Sequence, residues 1–269
     1  MTGSSVVQRR APSSRLRLIA DLLFIVTWRD IKIKYKQSVM GLLWAILMPG
    51  LIISAGLLVQ LGMSQISGKP FTLDTLAAVV VKSLPWAFVV SGIRFATNSL
   101  TSNANLLTKI NCPRIVFPLS AVLSALFDLL VAVIPLVIVL ALVGVTPAIT
   151  QLWAIPLLFF LVLLVAGLGI AFSAANLYFR DVKYIVEVLL TFAIFFTPVF
   201  YSSELFGPWR DWILLNPVAP LLEGLEQAVD KGRMPDLGWT AYSAALATVI
   251  FAGAWFMFHR LEPSFADNV

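Results

Sequence analysis

NLYFRDVKYIVEVLLTFAIFFTPVFY, running from Asn176 to Tyr201, is the stretch whose reading decides the fold. A polar corner (Arg180, Asp181, Lys183) leads into a Phe-rich apolar run that breaks at Thr197-Pro198. From Ile185 to Thr197 there are thirteen residues. As helix they measure roughly 20 Å, too short for a full crossing unless the helix continues back through the corner or on past the proline. Irregular backbone at membrane depth survives only where protein or a water-filled cavity covers it. The segment therefore reads as one that lines a path through a membrane, and a shortish membrane helix ending at a proline is the equal alternative.

Composition sets the same frame for the whole chain. Hydrophobic residues make up 59% and charged residues 12% of the 269, against roughly a quarter charged in soluble domains. This is an integral membrane protein with room for about six spans of roughly 20 residues. Little is left for a soluble domain, and a nucleotide-hydrolysing domain does not fit. The formal charge of +5 is concentrated early, in Arg9, Arg10, Arg15, Arg17, Arg29, Lys32, Lys34 and Lys36. By the positive-inside rule that end is cytoplasmic. The single Cys112 rules out an internal disulfide, and the single His259 a multi-histidine site.

Outward from the opening stretch, the chain divides into a cytoplasmic tail (1–14), an amphipathic interface helix (15–37) and six spans (38–269), all helical. Leu16, Ile19, Leu23 and Val26 recur at helical spacing. Between Trp28 and Gly41, Ile31, Ile33 and Tyr35 alternate with lysines as in a strand. Helix is preferred, because an unpaired strand at a membrane surface leaves backbone groups unsatisfied. It puts Arg29, Lys32 and Lys36 on one face and lets Asp30 pair with Lys34. An anchor for anionic lipid is the plain reading of this helix. GMSQISGKP, after the first span, has the wrong spacing for a phosphate loop and is set aside.

Charges inside the apolar runs need partners. Lys82 and Arg94, roughly 18 Å apart along the second span, are read as snorkelling toward opposite interfaces, with contact to an anionic substrate as the alternative. Asp128 lies well inside the third span, and an ion pair with Arg94 is the expected arrangement. Gly167, Gly169, Ala171, Ala174 and Ala175 offer the fourth span a small-residue packing face. Ser202 to Leu237, net acidic and rich in Trp and Leu, suits short helices dipping into the outer leaflet. An even number of crossings leaves both ends in the cytoplasm.

Five motifs occur in order: RDIKIKYKQSVMGLLW (Arg29 to Trp44), NLLTKINCPR (Asn105 to Arg114), NLYFRDVKY (Asn176 to Tyr184), TPVFY (Thr197 to Tyr201) and LNPVAPL (Leu215 to Leu221). Together they resemble the membrane subunit of bacterial ABC exporters that move lipid-linked polysaccharides (O antigen, capsule or teichoic acid), a type-two ABC permease of the inner membrane. The resemblance implies a homodimer around a central channel and two copies of a separate ATPase. ATP and Mg would be bound by that partner, with no cofactor, metal or catalytic residue in this chain. It implies a coupling helix in the loop carrying Asn105, Leu106, Leu107, Lys109, Pro113 and Arg114. It also implies a gate helix at Arg15 to Gln37 and re-entrant helices at Ser202 to Leu225, while Arg180 and Asp181 read from the residues themselves as a cytoplasmic corner. Channel-lining aromatics would be sought first at Phe88, Phe195, Phe196, Phe200 and Tyr201. Sugars present C–H faces that stack on such rings, and weak repeated contacts permit sliding. Arg29, Lys32, Lys34 and Lys36 would receive the pyrophosphate of a polyprenyl carrier.

Other classes compete. A membrane enzyme acting on lipid-linked sugar needs clustered acids or a metal site, whereas Asp128, Asp181 and Glu187 are scattered. A secondary transporter is expected to show repeats, and no convincing one is found. A smaller lipid or drug remains an alternative cargo, and nothing points to nucleic acid.

Overall fold

The computed structural model describes residues 12–36, 43–67, 72–104 and 113–267. Every regular element among them is helical, as expected where apolar runs must satisfy their own backbone groups. In chain order they are α1 (Pro12–Lys36), α2 (Leu43–Ser67), α3 (Leu73–Ser102), α4 (Val116–Val143), α5 (Ala154–Tyr178), α6 (Val182–Ala193), α7 (Arg210–Leu214), α8 (Val218–Val229) and α9 (Leu237–Leu261). The helical reading of the lysine-rich stretch holds through Lys36.

Among the described residues, four stretches are long and apolar enough to cross a membrane: Thr75–Ser102, Val116–Val143, Ile149–Tyr178 and Leu237–Leu261. The helix α2 contains a shorter apolar stretch, Gly50–Gly62. The hub of the molecule is α3, 72% buried over its most apolar window, whereas α4 and α9 are 17% and 22% buried over theirs. Apolar helices with so little protein cover are matched to lipid, so α3 is the axis and α4 and α9 are flanks.

The small-residue face of α5 sets the spacing on two sides. A Cβ on Gly167 would lie 2.8 Å from the Phe251 backbone of α9, and one on Gly169 would lie 2.6 Å from Ala96 Cβ of α3. Only glycine lets these helices approach so closely.

Asn176, 1% exposed, builds the corner after α5. Its amide donates to the Thr97 carbonyl at 3.1 Å, and its oxygen accepts the Lys183 N–H at 3.2 Å. Asp181 occupies the N-cap position of α6 without a side-chain cap bond, so the asparagine satisfies an amide of the first turn. The next helix, α6, is short: twelve residues, then one turn of 3-10 helix at Ile194–Phe196, then extended backbone at Thr197 (φ −123°, ψ 130°). The expected break is present, and the chain does not continue past Pro198 as a rod. Asn216 covers it, donating to the Phe196 carbonyl (3.2 Å) and to the Thr197 hydroxyl (2.9 Å).

Beyond the break, a 3-10 turn (Ser203–Trp209), α7 and α8 form the return segment. Short helices were expected there, and α7 and α8 are short, five and twelve residues. Leu221, Leu222 and Leu225 are buried in the main core beside α3 and α5, and Glu223 and Glu226 are buried with them. Those leucines take the core side of the helix, and both acids find donors inside the protein.

Candidate translocation surface and its polar ends

The aromatics singled out from sequence divide into two groups. Phe195 and Phe196, beside the break, are 69% and 72% exposed. Tyr201 is half-buried; its hydroxyl donates to the Phe195 carbonyl at 2.8 Å and its ring lies 5.3 Å from Phe206. Phe200 turns the other way, against Gly56 of α2, while Gln60 donates to its carbonyl. Phe88 is 2% exposed within the core. Its position on α3, the hub, puts it inside the protomer, where it lines a cavity of about 320 Å³ with Leu84, Ser91 and Arg94. Periodicity within one helix does not say which face a neighbouring helix will cover.

At the end of the bundle that carries the break, a buried charge cluster replaces the snorkelling expected of Lys82. Lys82 on α3 is 2% exposed and pairs with Glu226 of α8 at 2.8 Å. It also donates to the Tyr201 carbonyl at 2.8 Å. The second oxygen of Glu226 pairs with Lys231 at 2.7 Å. Burial pushes the Glu226 carboxyl up, but Lys82 and Lys231 outweigh it and hold the group below its ordinary range. Burial likewise pushes the Lys231 amine down, and Glu226 more than reverses it. Glu223 is satisfied separately, accepting from the Ser203 N–H (2.8 Å) and hydroxyl (2.9 Å). Sequence reading missed this cluster; the one available signal was that Lys82 and the acids after Ser202 fall at the same end of the topology.

At the opposite end, Arg94 and Asp128 do not pair with each other. Arg94 pairs with Glu187 of α6 at 2.9 Å, whereas Asp128 on α4 takes Lys34 and Tyr35 of α1. The helix α1 packs along α4 and brings its own cation, so the depth match between Arg94 and Asp128 never becomes contact. Burial, with Asp128 as acceptor and neighbour, pushes the Tyr35 phenol well above its ordinary value. Asp30 is engaged by Arg29 (2.7 Å) and the Ser120 hydroxyl (3.1 Å) and does not pair with Lys34. Arg29 also donates to Asn103 at 3.0 Å. Of the four basic residues singled out on α1, Arg29 and Lys34 are thus tied down. Lys32 and Lys36 are exposed, Lys32 lying 5.3 Å over the Trp28 ring.

Asn105, Leu106, Leu107 and Lys109 lie outside the described residues. Arg114, where that loop ends after Pro113, is anchored to Glu262, its N–H donating to the carboxylate (3.0 Å) and its guanidinium to the carbonyl (2.8 Å). Arg180 and Asp181 sit exposed at the turn between α5 and α6.

The described residues form an apolar helical bundle with a covered interruption and exposed aromatics beside it, the architecture of a membrane-embedded protein. The profile of the ABC-2 type transporter family matches residues 21–229, and the chain belongs to that family. It is an integral inner-membrane protein, and the family implies a partner subunit that binds ATP. Among curated relatives, an O-antigen export system permease protein RfbA of Klebsiella pneumoniae is 31% identical over 212 residues, covering 77% of this chain and 79% of the relative. The protein of the same name from Myxococcus xanthus is 30% identical over 258 residues, covering 92% and 95%.

Proposed function

We propose that this chain is the permease subunit of an ABC exporter that carries a lipid-linked polysaccharide, O antigen, across the inner membrane. A separate ATPase supplies the energy. The observation that carries the reading is the interruption at Thr197-Pro198: a satisfied break with Phe195 and Phe196 exposed beside it. Exposed rings next to irregular backbone suit a sugar path, because ring faces hold C–H surfaces weakly and repeatedly. The names of relatives that align over most of their length support the cargo.

In this reading six crossings, counting α2 and the broken α6, leave both termini in the cytoplasm. Two copies enclose the path, with α7, α8 and the turn before them as re-entrant pieces at the outer face. The loop from Asn105 to Arg114 couples to the ATPase, and Arg114 at its end is held by Glu262. On the gate helix α1, Lys32 and Lys36 are the groups offered to a carrier pyrophosphate, and Arg29 and Lys34 brace the helix.

The test is co-purification with its partner ATPase, followed by ATPase assays with polyprenyl-linked polysaccharide. Stimulation by that lipid, together with loss of surface polysaccharide in a deletion strain and its return on complementation, is the expected result. Stimulation only by small drugs would overturn the cargo. Charge reversal of Lys32 and Lys36 should lower export several-fold at normal membrane levels; unchanged export would remove their assignment.

A further inference from the structure

A cleft of about 590 Å³ opens beside Tyr201, between α2, α3 and the return segment. Its size falls among small-molecule sites, roughly 300–1,000 Å³, but its lining is unlike an apolar ligand pocket. Three cationic side chains (Lys82, Lys231, Arg233) face three anionic ones (Glu204, Glu226, Asp230). Neutral donors and acceptors from Gln60, Thr75 and Ser202 fill in between them.

The cleft has a fixed floor and an open rim. Both carboxylate oxygens of Glu226 are taken, by Lys82 and Lys231, and Lys82 also holds the Tyr201 carbonyl. At the rim, the side chains of Glu204 and Arg233 are exposed, Glu204 within electrostatic reach of Lys231. A balanced set of charges gives neither a net anion site nor a net cation site. It suits a neutral group whose every polar atom both donates and accepts, and that is the chemistry of a sugar hydroxyl. Tyr201 lines the same cleft, its carbonyl held by Lys82 and its hydroxyl donating to the Phe195 carbonyl.

We infer that this cleft is a saccharide subsite: one neutral pyranose unit of the cargo rests there, with Glu204 and Arg233 binding its hydroxyls and Tyr201 flanking its C–H face. The inference rests on the polysaccharide reading and adds where the chain of sugars is held. Contacts to charged side chains are individually stronger than ring stacking, so the cleft is a holding point beside a path that otherwise permits sliding.

The test places a photoreactive benzoylphenylalanine at Ala78, which lines the cleft, or at Val249, which is 66% exposed on α9. The full-length chain is expressed with its ATPase in polysaccharide-producing cells. Irradiation should yield a polysaccharide-linked adduct from Ala78→benzoylphenylalanine and none from Val249→benzoylphenylalanine. Combining Glu204→Gln with Arg233→Gln should cut the adduct at least fivefold at equal membrane levels. Normal surface polysaccharide with no adduct at Ala78, or equal adducts at both positions, overturns the subsite and leaves the exporter reading intact. An adduct unaffected by the double substitution overturns the roles of Glu204 and Arg233. Surface polysaccharide that does not depend on this chain at all overturns both.

Discussion

Lys82 shows how much a single residue depends on its surroundings. Removing one member of a buried ion pair leaves a charge without compensation, at a cost of about 3–5 kcal/mol, while replacing both members with apolar groups is often neutral. Glu226 keeps Lys231 when Lys82 is removed, so Lys82→Met should lower the thermal stability of the detergent-solubilised protein by less than that full cost, and Lys82→Met with Glu226→Leu should recover part of the loss. Because the folded Glu226 carboxyl ionises below its ordinary range, its contribution is complete above that range and disappears as pH falls through the lowered value. Glu226→Gln should flatten this acid limb in melts recorded between neutral and acid pH. The pairing of Asp128 with Lys34 calls for a double-mutant cycle with Asp128→Asn and Lys34→Met. A coupling of about 0.5–3 kcal/mol is expected, and additive effects would show that the contact carries no energy. The acid itself stood out in the sequence, since a carboxylate inside an apolar run demands a partner. The partner did not, because it arrives on a different helix.

At the scale of elements, two joints govern the architecture. Where α5 meets α9, Gly167 has backbone at 2.8 Å from any added Cβ, whereas Gly253 has nothing within 4 Å. Gly167→Ala should destabilise by about 1–3 kcal/mol through forced separation, while Gly253→Ala should fall within about 0.5 kcal/mol of wild type. Paired melts of the two variants check this. The small-residue pattern was legible because close packing without a hydrophobic drive requires it, yet the pattern could not name its neighbours. The second joint is the break after α6. Asn216→Ala would strip donors from the Phe196 carbonyl and the Thr197 hydroxyl, costing about 1–3 kcal/mol. The proline announced the break, and the asparagine that makes it tolerable became visible only once the chain had returned.

For the whole molecule, the exposed pair Phe195 and Phe196 separates stability from transport. Phe195→Ala with Phe196→Ala should leave the melting temperature nearly unchanged, since little buried area is lost, and should lower surface polysaccharide several-fold. Equal export at equal membrane levels would remove these rings from the path. Phe88→Ala should behave in the opposite sense, destabilising by about 3–5 kcal/mol as a core truncation. Both were candidates from sequence, and burial alone tells them apart. By itself, the sequence determined that the chain is a membrane-embedded helical bundle and that its fifth apolar run is interrupted. Lipid allows only self-satisfied backbone, and a Pro after a short run ends the helix. Tertiary structure alone decided which charges meet, which aromatics stay exposed and that α8 turns its acids inward. Those outcomes depend on contacts between residues far apart in the chain, and no local periodicity encodes which helix packs against which.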